Sequence, residues 1–163
     1  MPVCKRSDPR FVADAMLGSL ARKLRALGFE TSYYKEGDDE RLLVVASGEG
    51  RVILTSDRSL AAHAGAEGAR AILVEGTNDR ARIRGIVRSA RLAGIPLLAG
   101  DSLCSSCGGA LRTIPRAAAL GTVPPSVGQR HRLFFVCTQC GQVYWRGSHW
   151  KKLMSLARLL REE

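Results

Sequence analysis

The sequence predicts an α/β fold in which an open, mostly parallel sheet is flanked by helices and is followed by a small cysteine-containing module and a C-terminal helix. Short apolar runs alternate with helical patterns through most of the first hundred residues. Such alternation is typical of parallel sheets, because a crossover helix returns the chain to the start of the next strand. Two Cys-x-x-Cys pairs then stand in a loop-rich stretch, and a helical pattern returns after the second pair.

The first strand and helix are predicted from an apolar run and a set of regularly spaced leucines. Residues 11–13 are apolar and end at Asp14, which favours a short strand. Helical spacing follows, at Leu17, Leu20, Leu24 and Leu27. Gly28 is a natural helix end, because glycine accepts the left-handed conformation that closes many helices. Residues 29–34 then predict a second strand.

Two more strands and three more helices complete the predicted first domain. A polar loop leads to a helix over residues 39–47, and the β-branched and aliphatic residues 51–55 predict a buried strand. A helix over 58–67 and an apolar strand over 71–74 follow. The last helix, 79–92, has one apolar stripe for the core. Another face of this helix carries Arg80, Arg84, Arg88 and Arg91.

A change of composition near Pro96 and Gly100 predicts a boundary between two domains. We therefore divide the chain into an N-terminal tail at residues 1–10, a first domain at 11–98 and a second domain at 99–163. The second domain is expected to hold the cysteine pairs and the final helix.

The two cysteine pairs predict a structural zinc site. The ligands are Cys104, Cys107, Cys137 and Cys140. Two residues between ligands let both sulfurs face one ion, and Gly108 and Gly141 relieve the tight turns that follow. Four thiolates satisfy tetrahedral Zn²⁺ and leave no open position for catalysis. A redox dithiol or an iron–sulfur cluster is the alternative. Cys4, the fifth cysteine, is predicted to be a free thiol without function.

The cysteine pairs also predict a zinc ribbon. Apolar triplets at 134–136 and 143–145 frame the second pair and resemble ribbon strands. The pairs are further apart than the roughly 15–20 residues of common zinc sites, but a longer hairpin adds closure entropy only slowly. A C-terminal helix is predicted over 149–163. Its apolar face consists of Leu153, Leu156, Ala157 and Leu160.

Charge and apolar patterning restrict the partners and the compartment. The formal net charge of +10 and the pI near 10.0 favour a polyanion such as nucleic acid. Residues 1–10 are polar and do not resemble a signal peptide, and no apolar run approaches the ~20 residues that span a bilayer. We therefore expect a cytoplasmic protein that does not associate with membranes.

Four aspartates are predicted to lie at one edge of the sheet: Asp14, Asp38, Asp39 and Asp57. Each follows a predicted strand, and the carboxyl ends of parallel strands frame the ligand crevice of such sheets. Clustered carboxylates repel one another unless a divalent cation intervenes, and oxygen ligands suit Mg²⁺ or Mn²⁺. The alternative is that these aspartates only cap the helices that follow them.

The motifs FVADAMLGSLARKLRALGFET and GDDERLLVVASGEGRVILTSDRSL resemble the PIN-like ribonuclease family that is named after the C-terminal domain of the Mut-seven protein. The family also has a CxxC…CxxC ribbon and a Tyr-Trp-x-Gly-Ser-His segment, seen here at residues 144–149. The resemblance implies a PIN-like fold and Mg²⁺- or Mn²⁺-dependent RNA cleavage. Carried over by position, Asp14, Asp39 and Asp57 would be metal ligands and Asp38 a fourth acid. Glu75 and Asp79 are candidates for a further ligand.

Basic side chains near the aspartates are candidates for contacts with RNA phosphates. Arg22, Lys23 and Arg25 lie on the first predicted helix, and Arg58 follows Asp57. Arginine binds phosphate oxygens through paired hydrogen bonds, although each residue could equally belong to a solvated helix face. Another set has aromatic rings that could stack on bases, but is predicted to pack the ribbon against its neighbour: Trp145, His149 and Trp150.

The predicted function is hydrolysis of RNA phosphodiester bonds. A non-catalytic RNA- or ribosome-binding module, in which the acids are only caps, is the alternative from a different class. A toxin with an antitoxin partner is a third hypothesis, which rests on fold analogy alone. No protein partner can be predicted from the residues.

Overall fold

The computed structural model describes residues 10–95 and 101–157. Three predictions lie outside these residues: the free thiol of Cys4, the boundary at Pro96–Gly100 and the last apolar position of the C-terminal helix, Leu160. The strands are β1 (Phe11–Ala13), β2 (Thr31–Tyr33), β3 (Val52–Thr55), β4 (Ala71–Leu73), β5 (Leu111–Pro115), β6 (Leu133–Cys137) and β7 (Val143–Trp145). The helices are α1 (Gly18–Ala26), α2 (Asp39–Glu49), α3 (Arg58–Ala66), α4 (Asp79–Leu92), α5 (Arg116–Ala119), α6 (Pro125–Arg130) and α7 (Ser148–Ala157).

The first sheet is parallel and has the strand order β2-β1-β3-β4. In β1, Ala13 is the register partner of Tyr33 in β2 and of Leu54 in β3. The chain leaves β1 toward β2 on one side and later returns to β3 on the other side. This reversal is a topological switch point, where the loops after neighbouring strands part and leave a crevice. The predicted open parallel sheet is confirmed.

Helices cover both faces of this sheet, and each face has its own apolar cluster. On one face, α1 and α4 pack against alternate residues of the strands, such as Phe11 and Leu54. On the other face, α2 and α3 pack against Val12 and Ile53. Alternation of strand side chains between the two faces produces these two clusters, and both sets of strand residues are fully buried.

The first helix starts and ends as its sequence predicts. A short 3-10 turn at Ala15–Leu17 precedes α1. At the other end, the Phe29 N–H donates to the Leu24 carbonyl and the Gly28 N–H donates to the Arg25 carbonyl. With Gly28 at a φ of 94°, this is a Schellman motif. Phe29, predicted to be part of the second strand, lies in this turn and is buried in the core.

The ribbon is an antiparallel sheet with the order β5-β6-β7 and a small core of its own. Ile114, Ala119 and Phe134 are buried in that core. The segment between the cysteine pairs was predicted to be loop-rich, and this is wrong in part: it forms β5, α5 and α6. Only Ile114 among the five residues of β5 is buried, so β5 lacks the apolar alternation by which a strand is recognised.

The C-terminal helix returns to the first domain. Leu153, Met154, Leu156 and Ala157 of α7 pack against the cluster formed by α1, α4 and the sheet. Along the chain, the ribbon therefore lies between α4 and α7, and both of these helices contact the same core. Among the described helices, none is long and apolar enough to cross a membrane.

Candidate functional site

Asp14 and Asp57 lie on the two strands that flank the switch point. Asp14 directly follows β1 and is buried, with 6% of its surface exposed. Asp57 lies two residues after β3 and is exposed. The Asp14 N–H donates to the Leu54 carbonyl at 3.0 Å, which continues the ladder between the two strands. The structure thus brings these two aspartates to the same edge of the sheet.

Thr55 connects the two aspartates through one hydroxyl group. The Thr55 Oγ1–H donates to Asp14 Oδ2, and the same oxygen accepts from the Asp57 N–H at 2.9 Å. Thr55 is fully buried. Sequence reasoning assigned it no role, although its Leu-Thr-Ser-Asp-Arg segment belongs to the motif that carried the resemblance. The available indication was a threonine at the end of a buried strand, two residues before Asp57.

Tyr33 closes the loop that follows Asp14. Its hydroxyl donates to the Ala15 carbonyl at 2.9 Å. A Cβ at Gly18 would lie 2.8 Å from the Tyr33 ring, so any larger residue there would displace that ring. This contact explains the glycine in the Leu17-Gly18 motif, which leucine spacing alone does not require.

Asp38 and Asp39 lie where the loop after β2, the other neighbour of β1, leads into α2. Both are exposed. Asp38 is the N-cap of α2, where its Oδ1 accepts from the Arg41 N–H at 3.1 Å. Asp39 is the first residue of that helix, a position where a negative charge favours the helix dipole.

Asp14, Asp38 and Asp57 each use one carboxylate oxygen to cap a helix. Asp14 Oδ1 accepts from the Met16 N–H, and Asp57 Oδ1 accepts from the Ser59 and Leu60 N–H groups. The second oxygens of Asp38 and Asp57 accept no hydrogen bond within the part of the chain that the structure describes. Capping therefore leaves carboxylate oxygens available to a ligand.

The carboxylates suit a divalent cation by donor chemistry, since all of their ligand atoms are oxygens. Within residues 10–95 and 101–157, however, no three of these acids have carboxylate oxygens within 4.8 Å of one another. The two residues considered as further metal ligands, Glu75 and Asp79, each form an ion pair with a basic side chain. Glu75 binds Arg58 at 2.5 Å, and Asp79 binds Lys23 at 2.6 Å.

The basic residues predicted to contact RNA have different environments. Arg22 is exposed. Arg58 and Lys23 are in surface ion pairs, which contribute only about 0–1 kcal/mol and can exchange for a phosphate. Arg25 is instead buried, with 8% of its surface exposed. Its Nε donates to the Thr31 carbonyl at 2.6 Å.

Arg25 joins the first domain to the first cysteine pair. Its Nη1 donates to the carbonyls of Ser105 and Ser106 at 3.1 and 2.9 Å, and its own carbonyl accepts from the Leu103 N–H. Burial lowers the pKa of the guanidinium, although the nearby Cys107 and Cys104 thiols act in the opposite direction. The group stays charged at neutral pH, because arginine does not lose its proton in proteins.

The four ribbon cysteines converge on one point. Their sulfur atoms all lie within 4.8 Å of one another. Cys104 Sγ is 3.6 Å from Cys140 Sγ, and Cys107 Sγ is 3.4 Å from Cys137 Sγ. Thiolates bound at about 2.3 Å around a tetrahedral ion would lie about 3.8 Å apart. The distances exclude disulfides, which need about 2.05 Å, and fit a zinc ribbon.

Two neighbours of the cysteines support this arrangement. Burial alone would raise the pKa of Cys104, but hydrogen bonds from the Tyr144 hydroxyl and from backbone groups outweigh it and lower the pKa to about 6. A low pKa favours the thiolate that metals bind, whereas the pKa of Cys107 is raised, because the lowering effect of the Gly109 N–H is outweighed by the hydrogen bond of Cys107 with Cys137. Gly109 is also required, because a Cβ there would lie 2.9 Å from Cys137 Sγ. Sequence reasoning named only the positive-φ glycines Gly108 and Gly141.

The fold and these sites define a class of protein: a parallel α/β sheet with aspartates at its switch point, joined to a ribbon with four cysteine ligands. The family model described as the Mut7-C RNAse domain matches residues 9–157. The chain therefore belongs to this family, and the membership suggests a ribonuclease-type function. No curated protein and no solved structure matches the chain significantly.

Proposed function

We propose that the protein is a Mg²⁺- or Mn²⁺-dependent ribonuclease that hydrolyses RNA phosphodiester bonds at the switch-point aspartates. The observation that carries the proposal is the arrangement of Asp14 and Asp57 on adjacent strand ends, joined by Thr55. Capping alone does not require the two acids to share a buried hydroxyl. Family membership supplies the substrate class.

In this proposal the chain contributes carboxylates, positioning and charge. Asp14, Asp39 and Asp57 would hold the cation, and Asp38 would be a fourth acid beside them. A bound Mg²⁺ or Mn²⁺ would supply positive charge that offsets the charge of the phosphate under attack. Arg22, Lys23 and Arg58 would hold backbone phosphates. We leave Arg25 out of this set, because its guanidinium donates to three backbone carbonyls of the chain itself.

The first prediction concerns the charge of the two switch-point acids. Asp14→Asn and Asp57→Asn should each reduce metal-dependent RNA cleavage by at least about 10²-fold, as expected for loss of one group that stabilises transition-state charge. Asparagine caps helices as well as aspartate does, so the stability of Asp57→Asn should change little. In Asp14→Asn one carboxylate oxygen becomes an amide nitrogen that cannot accept the Thr55 proton, so a loss of about 1–3 kcal/mol in the free energy of unfolding is expected there. Cleavage of a labelled RNA would be measured with and without Mn²⁺, beside the melting temperature and zinc content.

Glu67→Gln is the matched control for these variants. It removes the same charge from an exposed residue at the end of α3, where the helix has returned to the opposite edge of the sheet. Its cleavage rate should equal that of the parent. Equal cleavage by the parent, Asp14→Asn and Asp57→Asn would overturn the proposal.

A non-catalytic RNA-binding role is the second candidate, and the observed caps favour it. Asp14, Asp38 and Asp57 all accept hydrogen bonds from helix N-termini. In that case RNA binding would fall with salt concentration, but no RNA would be cut after free divalent ions are removed and Mn²⁺ is added back. Cleavage that depends on Mn²⁺ and on Asp14 would exclude this candidate.

A further inference from the structure

A groove runs between α1, the ribbon sheet and α7, on the face of the first domain that also carries α4. Its volume is about 840 Å³. Arg22 and Lys23 form its α1 side, and Thr113 and Phe135 belong to its ribbon side. Trp150 lies on the α7 side. The groove, called the α1–ribbon groove below, is lined by neither the four cysteines nor the switch-point aspartates, although Tyr144 in its lining contacts Cys104 Sγ.

Aromatic rings are concentrated in the α1–ribbon groove. Its lining includes Phe135, Tyr144, Trp145 and Trp150, all of them half-buried, and Trp145 also packs against the ribbon core. Both tryptophans of the chain are in this set. Arg146 lies over two of the rings, with its guanidinium carbon 5.5 Å from the Phe135 centroid and 5.6 Å from the Trp150 centroid. These rings are more exposed than core residues and provide flat surfaces beside a cation.

The charge of the groove is positive. It is lined by four cations, Arg22, Lys23, Arg146 and Lys152, and by two acids, Asp79 and Asp101. Lys23 is paired with Asp79. Among the described residues, the other three cations have no acidic partner. A partner that lies in this groove must therefore bring negative charge and flat apolar groups together.

We propose that the α1–ribbon groove binds single-stranded RNA, with bases stacked on its aromatic rings and phosphates on its arginines and lysines. Unpaired bases stack on aromatic side chains, and a basic groove follows the backbone in single-strand binding proteins. Bases within a duplex are already stacked and cannot reach such rings. The inference rests on the proposed function for the choice of RNA over another polyanion, and it narrows the substrate to unpaired strands.

The test measures RNA binding without cleavage. A labelled oligouridylate, alone or in a duplex with oligoadenylate, would be titrated against the Asp14→Asn protein without divalent ions. Tryptophan fluorescence would be followed in the same titration, because Trp145 and Trp150 both line the groove. We expect quenching by the single strand, and weaker binding with no quenching by the duplex.

Two substitutions separate stacking from charge. Trp150→Leu should weaken single-strand binding about tenfold or more through the loss of one stacking ring, and Trp150→Phe should restore most of the affinity. Arg146→Gln should weaken binding and reduce the salt dependence by about one released ion. Arg112→Gln is the control, since Arg112 lies on β5 between two groove residues and so points to the opposite face of the sheet.

The inference would be overturned if Trp150→Leu and Arg146→Gln bound the single strand as the parent does, or if Arg112→Gln lost as much affinity as they do. Circular dichroism and zinc content would confirm that each variant is folded. The proposed function fails on a different result, because it concerns cleavage. A parent protein that binds RNA through the groove but cuts no RNA would refute the ribonuclease proposal and support RNA binding in the groove.

Discussion

A single hydroxyl group determines how Asp14 is held at the switch point. Thr55 Oγ1 has one proton, and it donates that proton to Asp14 Oδ2. It accepts from the Asp57 N–H with a lone pair. With the Met16 N–H on its other oxygen, Asp14 accepts a hydrogen bond at each carboxylate oxygen. At the scale of one residue, Thr55 is a positioning residue for both acids.

Thr55→Val tests this role, because valine keeps the shape of threonine and removes the hydroxyl. We expect a loss of about 1–3 kcal/mol in the free energy of unfolding, since the Asp57 N–H and Asp14 Oδ2 would each lose a buried partner. RNA cleavage should fall as well. Both effects would be measured, by urea unfolding and by cleavage of a labelled RNA. Thr55→Ser should retain most of both properties, and a serine variant as impaired as valine would contradict the role.

Residue patterns predicted that the four cysteines would lie together, but not the contacts that support them. The cysteines are close in sequence within each pair, and the chemistry of four thiolates is specific. Gly109, Tyr144 and Arg25 approach the cysteines only after the chain has folded. Nothing in their local sequence distinguishes them from other glycines, tyrosines or arginines, so their roles could not be predicted.

At the scale of elements, one buried arginine fixes the ribbon against α1. Arg25 lies in the last turn of α1 and donates to carbonyls of β2 and of the first cysteine pair. The three carbonyls come from two parts of the fold, so only a branched donor with several N–H groups can satisfy them together. Lysine has its three donors on one atom and cannot reach all of them.

Arg25→Gln should therefore lower the free energy of unfolding by about 1.5–3 kcal/mol, the range for hydrogen bonds to charged groups. Arg25→Lys should lose a similar amount, because charge alone does not restore the contacts. Urea unfolding and hydrogen exchange at the first cysteine pair would measure the effects. Arg22→Gln, an exposed neighbour on α1, should change stability by no more than about 0.5 kcal/mol. If Arg25→Lys were as stable as the parent, the branched shape of the guanidinium would not be important for these contacts.

Elements with strong periodicity were predicted well, and short ones were not. Leucine spacing located α1, and apolar runs located the four parallel strands, because these patterns come from burial on one or two faces. The short helices α5 and α6 have only four and six residues. They are stabilised by the ribbon core around Phe134, and such tertiary contacts leave no periodic pattern in so short a segment.

For the whole molecule, metal binding at the four cysteines should stabilise the ribbon more than the parallel sheet. The ribbon core is small, and its three strands meet at the cysteines. The first domain has two larger clusters that do not include these cysteines. Small metal-bound modules commonly unfold when the ion is removed.

Removal of zinc with a chelator under reducing conditions should release about one ion per chain, as four thiolates around one ion imply. The near-ultraviolet circular dichroism of Trp145 and Trp150 should be lost, while most far-ultraviolet signal from the first domain should remain. Re-addition of Zn²⁺ should restore the spectrum. Cys140→Ser, which removes one ligand, should resemble the chelated protein. An unchanged near-ultraviolet spectrum without zinc would show that the ribbon folds independently of metal.

The return of α7 to the first core has a consequence for how the molecule is built. Both ends of the ribbon are attached to the first domain. At one end the Leu103 N–H donates to the Arg25 carbonyl of α1, and at the other end the side chains of α7 pack against the core that includes α1. The ribbon is thus an insertion within a fold rather than a domain added at its end, and insertions are tolerated where the flanking segments meet at a surface. A short flexible linker in place of the ribbon should leave α7 docked, and another small folded module could then be inserted at this position.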